Sequence, residues 1–344
     1  ARLAALALAA SAGLAAATPF APPPAPDGGG PIGVLWRQAV AALEDASAAR
    51  VPALVPPTAR PVTWKARRVA SLDLGAPLLA LAAADLDGDH ADELIALTER
   101  HVVVLAAQGK GLRERARVAV PAVAPAVRPR DPVGALAVAA GADGIEVWAR
   151  SSSAARGARY AWRGDALVEV AEVAGYPLCA DRVVELAAGR NYATVDGVDV
   201  WTGRCRLGDV DALGRAIAVV ATVAVDGALT VTVDTRCPRG ADVCPAQARA
   251  TLAGVGAAVE VADVDRDGAV EVLVAGAGAP GDPDAVVVHS LAAAGFGKKP
   301  RFRRAFLGGV VGLAVGDVDG DGDREAFAAV RLTGARKVDV WLLD

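Results

Sequence analysis

From residue 62 onward, apolar and polar residues alternate in short runs cut by Gly, Asp and Pro. The runs HVVVL from His101, GIEVW from Gly144, GVDVW from Gly197, ALTVTV from Ala228, AVVVHS from Ala285 and KVDVW from Lys337 repeat one pattern. A period of two predicts half-buried β-strands. Successive copies mostly lie roughly 43 to 56 residues apart, the size of a four-stranded propeller blade, with one interval of about 31 that is too short for one. Basic-apolar runs, RARVAV at 115–120 and RRAFLG at 303–308, follow two of these strands and predict outer strands. None follows KVDVW, yet ARRVASL at 66–72 precedes the first repeat. The N-terminal run is therefore expected to complete the last blade and close the ring, leaving no central sheet edge open. The expectation is an all-β propeller of about six four-stranded blades, seven being also open, preceded by a short N-terminal helix.

Upstream the pattern changes. Residues 3–17 are an apolar run after Arg2 that ends in Ala15-Ala16-Ala17, which predicts a signal peptide over 1–17. Residues 18–61 read as a Pro/Gly-rich linker (APPPAPDGGGP at 21–31) with one short amphipathic helix over 34–49, carrying Trp36, Val40 and Leu43 at helical spacing and ended by Pro52, Pro56, Pro57 and Pro61. The propeller is expected over 62–344.

Between apolar runs the chain carries an acidic loop three times: ADLDGDHADEL at 84–94, ADVDRDGAVEV at 262–272 and GDVDGDGDREA at 316–326. Read as nine positions, with oxygen ligands at 1, 3, 5 and 9 and a backbone carbonyl at 7, the loops nominate three ligand sets. The first is Asp85, Asp87, Asp89, the carbonyl of Ala91, and Glu93. The second is Asp263, Asp265, Asp267, the carbonyl of Ala269, and Glu271, and the third is Asp317, Asp319, Asp321, the carbonyl of Asp323, and Glu325. Hard oxygen donors in a flexible loop point to calcium, about three ions, rather than zinc, which prefers imidazole and thiolate. Carboxylates crowded together repel one another, so a bound cation would order the loop and stabilise the fold. Position six, where a sharp turn favours glycine, is Gly268 and Gly322 in two loops but His90 in the first.

These loops and their flanking strands resemble the FG-GAP and VCBS repeats, whose members include the integrin α-chain propeller. The resemblance covers roughly 62–344 and is loose over 127–258, where the acidic loop is missing. It implies a propeller with structural calcium, and middle blades without metal. Glu93, Glu271 and Glu325 depart from the Asp more usual at position nine of the family.

Composition narrows the function classes. The 344 residues are 53% hydrophobic but only 4% aromatic, which suits closely stacked sheets of small side chains, and a net charge of −4 gives no basic footprint for nucleic acid. Cys179, Cys205, Cys237 and Cys244 form an even set, read as Cys237–Cys244 and Cys179–Cys205 disulfides in an exported chain. His101 and His289 read as equivalent strand positions, and Trp148, Trp201 and Trp341 as interface packing at corresponding strand ends. Arg163-Gly164-Asp165 reads as a hairpin turn. With no nucleophile elbow and no phosphate-binding glycine motif, no catalytic residue is nominated. The expectation is a monomeric secreted or periplasmic binding platform, not an integral membrane protein, for an extracellular protein or glycan. The alternative is an enzyme on the same scaffold, such as a polysaccharide lyase or a quinone-dependent dehydrogenase. A channel lined by convergent Arg, His, Tyr or carboxylates outside the metal loops would favour the enzyme.

Overall fold

The computed structural model describes residues 62–121, 132–141, 144–179, 182–186, 190–210, 216–235, 246–265, 270–279, 281–292, 295–334 and 337–344. The expected signal peptide, linker and N-terminal helix lie outside these residues. Every regular element among the described residues is a strand, and no helix there is long and apolar enough to cross a membrane.

Strand β1 (Ala66–Leu72) comes first in sequence but belongs to the last sheet. The first blade is β2 (Leu78–Ala84), β3 (Glu93–Thr98), β4 (His101–Gln108) and β5 (Gly111–Ala119), paired in that order. The second is β6 (Gly134–Gly141), β7 (Gly144–Ser151), β8 (Gly157–Arg163) and β9 (Ala166–Val173). The hairpin β10 (Tyr176–Cys179) and β11 (Arg182–Val184) precedes a third blade, in which short β12 (Ala193–Val195) pairs with β13 (Val198–Val210), followed by β14 (Ala216–Ala224), β15 (Leu229–Thr235) and β16 (Ala246–Leu252). The fourth is β17 (Val255–Ala262), β18 (Glu271–Gly276) and β19 (Asp284–Ala292), with a split outer strand, β20 (Gly295–Phe296) and β21 (Phe302–Phe306). The fifth is β22 (Gly309–Gly316), β23 (Glu325–Arg331) and β24 (Val338–Leu343), completed by β1.

The propeller therefore has five blades, not six or seven. The short interval of about 31 residues explains the miscount: GVDVW lies in β13 and ALTVTV runs into β15, two strands of one sheet. GIEVW also lies in the second strand of its blade, whereas HVVVL, AVVVHS and KVDVW lie in third strands. Alternation reports a half-buried strand without reporting which strand of the blade it is.

Ring closure follows the expectation. Residues of β1 pair antiparallel with β24 from Ala66 opposite Leu343 to Leu72 opposite Val338, and Lys65 and Asp344 exchange backbone hydrogen bonds of 2.5 and 3.1 Å. Trp64 packs edge-on to Phe302 of the fourth blade, with ring centroids 5.4 Å apart.

The apolar core is divided among the seams between blades. Leu81, Leu94 and Leu105 pack with Phe327 and Leu342 between blades one and five, while Ile95 and Val104 pack with Val147 and Tyr160 between one and two. Further clusters join four to five, three to four, and two to three. Second strands lie between neighbours on both faces, so β3 is buried along its whole length. Small residues let the inner strands converge: a Cβ on Gly316 would stand 2.6 Å from the Cβ of Ala83 in the next blade.

Candidate metal-binding loops

Each acidic loop joins the first strand of a blade to its second. In all three the glutamate heading the second strand performs the same task, its Oε2 accepting the backbone N–H of loop position two. Glu93 accepts from Leu86 at 3.0 Å, Glu271 from Val264 at 3.2 Å and Glu325 from Val318 at 2.9 Å. These glutamates are buried, at 3%, 0% and 3% exposure, and the bond gives each carboxylate a fixed orientation with Oε1 left for a second partner. Burial pushes all three above the usual carboxylate range, Glu271 and Glu325 up to about 7.

The alternating aspartates gather as their spacing predicts. Oxygens of Asp317, Asp319, Asp321 and Glu325 lie within 4.8 Å of one another, as do those of Asp85, Asp87 and Asp89, and those of Asp263, Asp265 and Glu271. Asp267 and Ala269 lie outside the described residues. Glu93 is not drawn into the cluster of its own loop.

Local backbone chemistry shapes the loops. Asp85 accepts from the N–H groups of Gly88 and His90, and Asp317 accepts from Gly322. Asp89 accepts from Ala91, and Asp321 from Asp323, the turn bond that short acidic side chains favour. Position six adopts positive φ in both loops where it is described, 94° at Gly322 and 75° at His90. His90 therefore takes a conformation that costs a non-glycine residue free energy.

A cation is present in two of the loops, supplied by the chain itself. Arg115 donates through Nη1 to Asp87 Oδ2 at 2.6 Å and to Glu93 Oε1 at 2.7 Å, reaches Asp165 of the second blade through Nη2, and lies 4.9 Å from the ring of Trp162. Its bond holds Asp87 below the usual carboxylate range. Arg301 donates to Asp265 Oδ2 and Glu271 Oε1, both at 2.5 Å. Nothing in the acidic motif announces either arginine, since both sit beyond the third strand of the blade. No described basic side chain forms an ion pair with the carboxylates of Asp317, Asp319, Asp321 or Glu325. Instead Asp319 and Glu325 are pushed upward, first by burial and then by neighbouring aspartates, and the Oδ1 atom of Asp317 is buried with no hydrogen-bond partner. An all-oxygen donor set with an orphaned buried oxygen fits a hard divalent cation.

The three loops occupy consecutive blades, the fourth, fifth and first, and touch through position eight. Asp92 of the first loop bonds the backbone of Asp317, and Arg324 of the third donates to the carbonyl of Asp263 at 3.3 Å.

The central cavity, about 440 Å³, is lined mainly by small apolar residues such as Ala82, Val138, Leu178 and Val261. Among the described residues its charged lining is Arg204 and Glu260, 3.6 Å apart, and Arg204 also donates to the carbonyl of Leu81.

The remaining sequence candidates resolve individually. His101 and His289 are not equivalent: opposite the second-strand residue next to the glutamate stand Leu105 and His289, and His101 lies four residues earlier on its strand. Trp148 and Trp201 fall on β7 and β13, whereas Trp341 falls on β24, the third strand of its blade, so the three positions do not all correspond. Trp148 lies 5.0 Å from the guanidinium of Arg159, Trp341 packs on Phe306, and Trp201 joins the seam between blades three and four. Arg163-Gly164-Asp165 is the β8–β9 turn, with positive φ at Gly164 and Asp165. Cys205 is not a free thiol, whereas the side chain of Cys179 and residues Cys237 and Cys244 lie outside what is described.

The sequence matches no protein-family model and no curated protein. Among solved structures, the fold is similar to a Bacteroides uniformis protein provisionally named a 6-phosphogluconolactonase, at 13% identity and a TM-score of 0.32, covering 72% of this chain and 62% of that one. The chain thus spans less than two thirds of that protein, and so distant a likeness carries no chemistry across.

Proposed function

We propose that this chain is an exported calcium-binding propeller that acts as a binding platform for an extracellular protein or glycan, its ions being structural. The observation that carries the metal reading is the repeated geometry of consecutive blades, where a buried glutamate fixes the loop and alternate aspartates gather beside it. The FG-GAP/VCBS resemblance rests on the same loops. The platform reading is supported by a channel lined mainly with small apolar side chains, whose described charged groups pair with each other. Recognition then belongs to loops at one end of the ring, where rigid scaffolds commonly carry it.

Export is supported by the even cysteine set and the leader-like N-terminus. The Cys179–Cys205 pairing is supported by the course of β10 beside β13: the hydroxyl of Tyr176 donates to the carbonyl of Trp201 at 2.9 Å, and Leu178 fills the space a Cβ on Gly203 would need.

The test is elemental analysis of the purified chain, joined to thermal unfolding with calcium and with a chelator. Bound calcium with a chelator-lowered transition supports the reading. No bound ion and no shift removes the metal and returns attention to the Arg204–Glu260 pair in the channel as a place for chemistry. A glycan array probed with calcium then tests the platform assignment.

A further inference from the structure

The three loops form a comparison within one chain. Each second-strand residue two beyond the glutamate head pairs with a third-strand residue, namely Val104, Val288 and Leu342 opposite Ile95, Leu273 and Phe327. These in turn pair with Ala116, Phe302 and Arg67 on the outer strands. The residue immediately before that outer partner is Arg115 in the first blade, Arg301 in the fourth and Ala66 in the fifth. Arg115 and Arg301 enter their loops from off the regular ladder, Arg115 at a register shift and Arg301 just ahead of its strand, whereas Ala66 pairs regularly with Leu343 and packs on the seam between the fourth and fifth blades. Arg67, next in sequence, does not substitute, because its Nη1 donates to the carbonyl of Lys110 at 2.9 Å.

We propose that Arg115 and Arg301 are built-in cations that compete with the metal, so that the loop of the fifth blade, 317–325, is the high-affinity calcium site and the other two bind weakly. This rests on the calcium reading above. In the first and fourth blades an incoming ion must displace a guanidinium from the position-three aspartate and from Oε1 of the position-nine glutamate, two of the oxygens assigned to it. In the fifth blade the position-three aspartate and the position-nine glutamate carry no ion pair. Two positive charges do not share one small acidic loop, so the guanidinium must leave for the ion to enter.

The arrangement also gives Arg115 a second role. Its other arm holds Asp165 in the β8–β9 turn and its face rests on Trp162, so an ion entering the first loop would loosen a contact between the first and second blades.

Calorimetric titration of calcium into the metal-free full-length chain tests the proposal. The expected result is one ion bound at least about tenfold more tightly than any other, a factor that corresponds to about 1.4 kcal/mol. Asp319→Asn with Asp321→Asn should abolish that ion alone. Arg301→Gln should tighten a second site by about tenfold or more, and Arg301→Lys should not. Should Arg301→Gln unfold without metal, the tightening would appear as refolding on calcium addition, followed by circular dichroism. Three ions of equal affinity, or arginine variants that leave every site unchanged, would overturn the proposal while keeping calcium binding. Absence of calcium from the wild type and all variants would overturn both.

Discussion

Asp92 and Asp317 exchange two hydrogen bonds across the seam between the first and fifth blades: the N–H of Asp92 donates to the carbonyl of Asp317 at 2.6 Å, and the N–H of Asp317 donates to Asp92 Oδ2 at 2.9 Å. The first residue of one acidic loop is thereby tied to the eighth of another. Burial, with Asp317 and Asp85 nearby, pushes the Asp92 carboxyl above its usual range. Asp92→Ala removes the acceptor and strands a part-buried N–H, which should lower stability by about 1–3 kcal/mol in chemical denaturation. Asp92→Asn keeps a carbonyl oxygen and should stay within about 0.5 kcal/mol of wild type.

His90 holds φ 75° where the third loop has glycine. His90→Gly should therefore stabilise the metal-free chain by about 1 kcal/mol, since glycine enters this region without the Cβ clash. Thermal unfolding in chelator measures it, and a destabilised variant would mean that the imidazole makes a contact worth more than the strain.

The buried glutamates give acidity and calcium opposite effects. Glu271 and Glu325 have folded values of about 7, above the ordinary 4.5, so their ionisation opposes folding. For the metal-free chain this favourable contribution of the protonated form is full below pH 4.5 and is lost as pH rises through 7. Calcium needs the ionised carboxylates, so its affinity should climb over the same window. The chelator-induced drop in Tm should be small at pH 5 and largest at pH 8. An equal drop at both would show that these glutamates do not bind the ion.

Gly316 sits where two blades come closest. A Cβ there would lie 2.5 Å from Asp92 Oδ2 and 2.6 Å from the Cβ of Ala83, so Gly316→Ala should destabilise by about 1–3 kcal/mol. Gly278 has open space around its Cβ position and no positive φ, and Gly278→Ala should lie within about 0.5 kcal/mol of wild type when both variants are unfolded in urea.

The acidic spacing was readable because its chemistry is local: alternate aspartates in nine residues meet whatever the rest of the fold does. Closure by 66–72 was readable for a related reason, as a basic-apolar run was missing after KVDVW and present before the first repeat. Blade number was not, because β13 and β15 alternate as well as true third strands do and only hydrogen bonding assigns them to one sheet. The arginines were hidden more deeply. The run at 115–120 reads as an outer strand, but Arg115 faces the loop through a register shift at Val104 and Leu105, 22 residues from Glu93. Charge neutralisation across a sheet is a property of register, which neither composition nor spacing encodes.

The pairing of β1 with β24 sets an order of events during synthesis. Arg68 and Asp339, ion-paired across that seam, stand 271 positions apart in the chain. A strand made early must wait, unpaired, through the manufacture of the other four blades. At ribosomal rates of about 5–20 residues per second that wait lasts on the order of tens of seconds. During it the fifth blade, and with it the loop whose carboxylates pair with no arginine, does not exist. Whatever guards nascent chains in the cell therefore has one particular stretch to shield, residues 66–72, and one moment at which to let go.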